Sequence, residues 1–157
     1  MMYHKQRFLH KPEEGTYGDC DRTVMACLLN LNPDDVPHWG IHYDDYAAFE
    51  KMKRDWLATR GLFEQSFAFD CTRERLTEYL GSAFGNVYVL LTGTSRTGCH
   101  HVVITRNGEI IHDTSLTDAG IIGPCDDGLW WCSLLLPLAL KADAILSTTD
   151  TEGRKDE

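Results

Sequence analysis

Asn107-Gly108 stands between two short runs with strand character, His101–Arg106 and Glu109–His112. Both residues of the dipeptide accept the left-handed backbone that a tight two-strand connection demands, so an antiparallel hairpin is expected here. A lone hairpin is not stable in water and needs further strands or a helix to cover it. Val87–Leu91 is a continuous apolar run of β-formers, and Leu129–Leu136 carries Trp130 and Trp131, so both read as strands. Upstream the pattern is helical. Cys20, Val24, Cys27, Leu28 and Leu31 share one face, and Met25, Ala26 and Leu29 widen it. A helix over 19–31, buried nearly all round and ended by Asn32-Pro33, is expected. A second helix reads from Asp44 or Asp45 to Arg60, with Phe49, Met52, Trp56 and Leu57 as its stripe and Gly61 as its cap. Ser66–Phe69 suggests a short strand. Thr72 caps a third helix, with Leu76, Tyr79 and Leu80 inward and Gly81 as the stop. Helices first and strands after argue for the α+β class.

The chain has 157 residues, 43% of them hydrophobic. That suits one domain with a real core, expected over 1–140, followed by a frayed polar, acidic tail over 141–157. A net charge of −9 with no basic run argues against binding nucleic acid through its phosphates. Leu129–Leu140, the longest apolar stretch, is too short for a membrane helix and contains Cys132, Ser133 and Pro137. Met1–His10 is polar, so no signal peptide is expected. The six cysteines, at 20, 27, 71, 99, 125 and 132, include no C-x2-C pair. They read as reduced thiols in a cytoplasmic protein, mostly serving as small core residues.

Three positions carry a possible chemistry. Cys20 opens the buried helix, where unpaired N–H groups and the helix dipole favour a thiolate. Asp19 beside it opposes that charge, unless its carboxylate caps the helix. His101 begins an apolar strand after a glycine-containing loop, a good station for a base. Asp113 ends the paired strand and can orient an imidazole. Nucleophile, base and acid then follow in the order Cys, His, Asp. The hairpin register decides which histidine serves. With a two-residue Asn107-Gly108 loop, His100 shares a face with Asp113; with a three-residue loop from Arg106, His101 lies opposite it. Periodicity leaves both open.

Gly18-Asp19-Cys20 opening an apolar helix, His101-Val102-Val103, and His112-Asp113 after a hairpin together resemble the papain-like cysteine hydrolase superfamily. The likeness is to its compact C39-like members and to small papain-like proteins of bacteria and phages. Thr16-Tyr17, Asn32–His38 and Gly120–Pro124 add to it, so that the resemblance spans most of residues 3–138. It implies an α+β fold with the nucleophile's helix packed on an antiparallel sheet that carries base and acid. It also implies that His101, directly before the apolar strand residues, is the base, and hence the three-residue loop. Two departures stand out. Such enzymes commonly carry a glutamine six residues before the cysteine as an oxyanion donor, and here that residue is Glu14; Gln6 lies farther upstream at the wrong spacing. The residue after the acid is often proline in relatives and is Thr114 here. The Cys20 backbone N–H is the more general oxyanion donor.

The expected function is a cysteine hydrolase of peptidase, amidase or isopeptidase type, working through an acyl-enzyme thioester on a peptide or other amide-containing partner. No cofactor is expected. A zinc site on Cys99, His100, His101 and His112 or Asp113 is disfavoured, because adjacent strand residues point to opposite faces. Cys27 and His112 read as structural. One of Trp130 and Trp131 is expected in the core, the other in a cleft or interface. The 93–98 loop lacks a P-loop ending and suits a substrate-side position. The rival reading is a catalytically inactive papain-fold protein that binds a partner.

Overall fold

The computed structural model describes residues 1–140; the expected tail over 141–157 lies outside the described residues. Three helices pack on one five-stranded antiparallel sheet, the α+β arrangement. The helices are α1 (Cys20–Leu29), α2 (Tyr46–Ala58) and α3 (Arg73–Phe84). The strands are β1 (Leu62–Phe69), β2 (Val89–Thr94), β3 (His100–Arg106), β4 (Glu109–Asp113) and β5 (Trp130–Pro137). Their order across the sheet is β1-β5-β2-β3-β4. Among the described residues, no helix is long and apolar enough to cross a membrane.

The pleat sorts the apolar residues onto two faces. Leu90, Val102 and Ile104 join Val24, Met25, Ala26, Cys27, Trp39 and Leu57 in one core, under α1 and α2. Val89, Leu91, Val103, Trp130 and Cys132 join Leu76 and Leu80 in a second, under α3. Helix α1 is buried over Arg22–Cys27, as its unbroken apolar surface requires.

Several boundaries differ from the sequence expectation. Helix α1 stops at Leu29, before the proline signal, because Asn30 adopts a left-handed conformation (φ 56°) and turns its N–H back to the carbonyls of Ala26 and Cys27. The Asp45 carboxylate caps α2 by accepting from Ala48 N–H, and Thr72 caps α3 through Arg75 N–H. Gly81 does not stop α3, which runs on to Phe84 with Gly81 set against the Asn107 carbonyl. Strand β1 has eight residues and precedes α3, so helices and strands interleave. Its partner is β5, in a register running from Leu62 opposite Pro137 to Phe69 opposite Trp130.

The hairpin loop has two residues. Arg106 pairs with Glu109, and Asn107 (φ 53°) and Gly108 (φ 78°) both lie in the left-handed region, the signature of a type I′ turn. The expected three-residue loop is therefore corrected. Pairing then slips: Thr105 faces Ile110 but Ile104 faces His112, leaving Ile111 without a partner. That β-bulge inverts the parity of everything beyond it.

The N-terminal segment lies between α1 and β4. Met2 N–H donates to the Cys27 carbonyl, Gln6 N–H to the Thr114 carbonyl, and His112 Nε2 to the His4 carbonyl at 2.7 Å. His112 and Cys27, which also accepts His4 N–H on its sulfur, are thus held in structural contacts.

Candidate active site

Cys20 is the first residue of α1 and is half-buried. Asp19 before it does not cap the helix with its side chain. Its buried carboxylate turns back to accept the N–H groups of Arg7 and Phe8 at 3.0 and 2.9 Å, and pairs with Arg22 at 3.1 Å. Two backbone donors and a guanidinium outcompete the helix's own first-turn donors. Its charge is thereby spent on Arg22, and the first-turn N–H groups, including that of Cys20, have no partner within the helix.

His101 stands near the start of β3, and its Nε2 lies 2.6 Å from Asp113 Oδ1. The side chains are 6% and 10% exposed, so water screens the pair little. The bulge at Ile111 makes this contact possible. Without it, the turn register would set Asp113 opposite Val102 and on the side of His100. With it, Asp113 pairs with Val103 and shares a side with His101, one step along the diagonal. His101, named by resemblance, is thus brought to Asp113 by another device than the expected loop.

Three donors hold the Asp113 carboxylate. Oδ1 also accepts Ser115 N–H at 2.7 Å, and Oδ2 accepts Gly120 N–H at 2.8 Å. The loop carrying Gly120 is fastened to β2, where Thr94 exchanges backbone bonds with Ile122 and Gly123. Gly93 allows that approach, since a Cβ there would meet the Gly123 carbonyl oxygen and Ile121 Cγ2 at 2.5 Å. Burial pushes the Asp113 carboxyl upward, but His101 and the two N–H groups outweigh it and hold it far below the usual carboxylate range. Burial likewise lowers His101, but its bonds to Asp113 and Cys20 and the charges of both raise it to about 9. Since Nε2 is committed to Asp113, the Nδ1 edge is left for the Cys20 sulfur.

Cys20 and His101 open into one cleft of about 830 Å³ between α1, α2 and the sheet. Tyr43, Tyr46 and Phe49 line one wall, and Trp131 faces them while Trp130 is buried in the core. His100 lines the cleft but turns to Asp126, whose backbone N and carboxylate both lie 3.3 Å from its Nε2. Gly98 and Cys99 of the loop before β3 reach the same cleft. Burial, aided by Asp127 and Asp126, pushes the Cys125 thiol up to about 11, and burial with Cys71 takes Cys132 to about 12. Burial also raises Cys27. These three are held as thiols.

Glu14 and Gln6, where the chain departs from the glutamine of the resembled enzymes, are both engaged elsewhere. Glu14 is exposed and paired with Lys11, and Gln6 donates its amide to the Phe8 carbonyl. Among the described residues, no group of three or more His, Cys, Asp or Glu side chains is placed to hold a metal ion. Sequence reasoning did not find Lys53, whose ammonium reaches into the cleft floor between Asp21 and Glu64. No family model matches the chain, and neither a curated protein nor a solved structure shows significant similarity to it.

Proposed function

We propose that the protein is a papain-like cysteine hydrolase acting on amide, peptide, isopeptide or thioester bonds. The observation that carries the reading is the 2.6 Å contact between His101 Nε2 and Asp113, which leaves the other edge of the same ring to the Cys20 sulfur at an open helix mouth. Cys20 attacks the carbonyl carbon as a thiolate. The oxyanion forms beside the Cys20 N–H and the positive end of α1. The bond to the leaving group breaks, and His101 supplies that group with its proton. Water then attacks the thioester, His101 takes a proton from it, and the thiolate departs. Asp113 keeps the ring oriented throughout and stabilises its imidazolium form whenever it carries the proton. A reducing, cytoplasmic setting accompanies this reading, since the nucleophile must stay a free thiol.

The alternative is a papain-fold binding protein without catalysis. In its favour stands the lack of an oxyanion-binding side chain at Glu14 or Gln6.

Iodoacetamide labelling at neutral pH, followed by peptide mass mapping, separates the two. Cys20 should alkylate at least about tenfold faster than Cys27, Cys125 or Cys132. The wild type should turn over fluorogenic amide or thioester substrates, and Cys20→Ala and His101→Ala should not. Equal labelling of Cys20 and Cys27 sinks the hydrolase.

A further inference from the structure

Lys53 lies on the inward side of α2, and its side chain is only 7% exposed. Burial works against its charge, but the carboxylates of Asp21 at 2.9 Å and Glu64 at 2.5 Å outweigh it and hold the ammonium protonated, above the ordinary lysine range. Ser133 donates to the other Glu64 oxygen at 2.5 Å, and Trp39 Nε1 donates to Asp21 at 2.7 Å. One polar chain therefore ties α1, α2, β1 and β5 together along the floor of the cleft that holds Cys20.

The position of Asp21 gives that chain a chemical consequence. Asp21 directly follows Cys20 in the first turn of α1, where an unpaired carboxylate would repel a thiolate. The charges nearest the nucleophile are already matched, Asp19 with Arg22 and Asp113 with His101, and His100 contacts Asp126. His10, Glu50 and Asp127 stand elsewhere on the cleft lining, and Cys125 is held as a thiol. Removing Lys53 would leave Asp21 and Glu64 together. Glu64 is the one that would take up a proton, because burial already pushes it upward. Asp21, 23% exposed, would lose its cationic partner in the turn that carries the nucleophile.

We propose that Lys53 is a positioning residue for the hydrolysis: through Asp21 and Glu64 it fixes the first turn of α1 against the sheet and cancels the carboxylate that follows the nucleophile. This rests on the reading of Cys20 as nucleophile. A buried tether that only stabilised the fold would not alter how fast the thiol reacts at low pH.

The test measures iodoacetamide alkylation of Cys20 at pH 6 and pH 10, with melting temperature as the fold control. In Lys53→Met the rate should fall about tenfold at pH 6, as expected for about one unit of like-charge effect, and match the wild type at pH 10, where the thiol ionises regardless. Lys53→Arg should keep the wild-type rate, and the double variant Lys53→Met/Asp21→Asn should recover it to within about twofold. A loss that is equal at both pH values, or that the double variant does not recover, overturns the proposal, as does an unchanged rate. Should Lys53→Met fail to fold, Asp21→Asn alone decides: with Lys53 left in place, Cys20 must alkylate faster at pH 6, and an unchanged or slower rate overturns the proposal. A wild-type Cys20 no faster than Cys27 defeats the hydrolase itself. A fast wild-type Cys20 indifferent to Lys53 defeats only this inference.

Discussion

Replacing Asp113 by asparagine keeps its shape but removes one acceptor and the charge. The carboxylate now accepts from His101 and Ser115 on Oδ1 and from Gly120 on Oδ2. An amide that keeps its oxygen toward His101 and Ser115 must turn its NH2 toward the Gly120 N–H, donor against donor. Losing that charge-assisted bond costs about 1.5 kcal/mol. The second part is electrostatic. His101 is lowered by burial and raised to about 9 by Asp113 and Cys20 together. Taking away one of the two partners returns about one unit, or about 1.4 kcal/mol. The folded value of His101 exceeds its unfolded one, so this stabilisation is complete below about pH 6.5 and is lost as pH rises through about 9. Asp113 is depressed, so its own share is lost only in acid, below the range used. Urea unfolding should therefore show a gap between wild type and Asp113→Asn of about 3 kcal/mol at pH 5.5, narrowing to about 1.5 kcal/mol at pH 10. The alkaline limb of turnover should move down from about 9 by about one unit. A gap of the same size at both pH values would refute the coupling of His101 to Asp113.

Deleting Ile111 should remove the bulge while leaving Ile104 opposite His112 and Val103 opposite Asp113, so Asp113 stays on the His101 side. Turnover should stay within about tenfold of wild type, and circular dichroism should keep its native form, since Ile111 is 37% exposed and has no pairing partner; a collapse of activity would refute the register argument. Gly108→Ala should cost roughly 2–3 kcal/mol in urea unfolding, because φ is 78° there and the new Cβ would sit 2.2 Å from the Thr77 carbonyl oxygen.

What was legible in the sequence was what local pattern encodes. The apolar face of α1, the Asn107-Gly108 turn, the Thr72 cap and the opposite facing of Trp130 and Trp131 all rest on neighbours within a few residues. The rest depends on partners far along the chain. Strand β1 owes its length to β5, with Leu62 set opposite Pro137, a pairing no local period announces. Gly81 reads as a stop, but the Asn107 carbonyl beside it gives it a packing role within an unbroken helix. Asp19 reads as a cap, but two N–H groups from the N-terminal segment claim its carboxylate. Lys53 left one trace: it falls inside the stripe of Phe49, Met52, Trp56 and Leu57, where a lysine needs buried partners.

The bulge is the hardest of these features to read and has the largest consequence. Each residue of β3 sends its side chain opposite to the last, so the choice between His100 and His101 is a question of parity. A two-residue turn alone gives one answer, and a two-residue turn followed by one unpaired residue gives the other. Nothing in Ile110-Ile111 announces the slip, because both residues are ordinary strand formers. The far side of the sheet supplies the reason. Asp113 must meet the N–H groups of Ser115 and Gly120, on a loop already fastened to β2 through Thr94. Those bonds set where β4 ends, the turn sets where it begins, and the strand between them holds one residue more than unbroken pairing needs. The extra residue is absorbed as the bulge, and the histidine that faces the carboxylate is decided there, away from Cys20, His101 and Asp113 themselves.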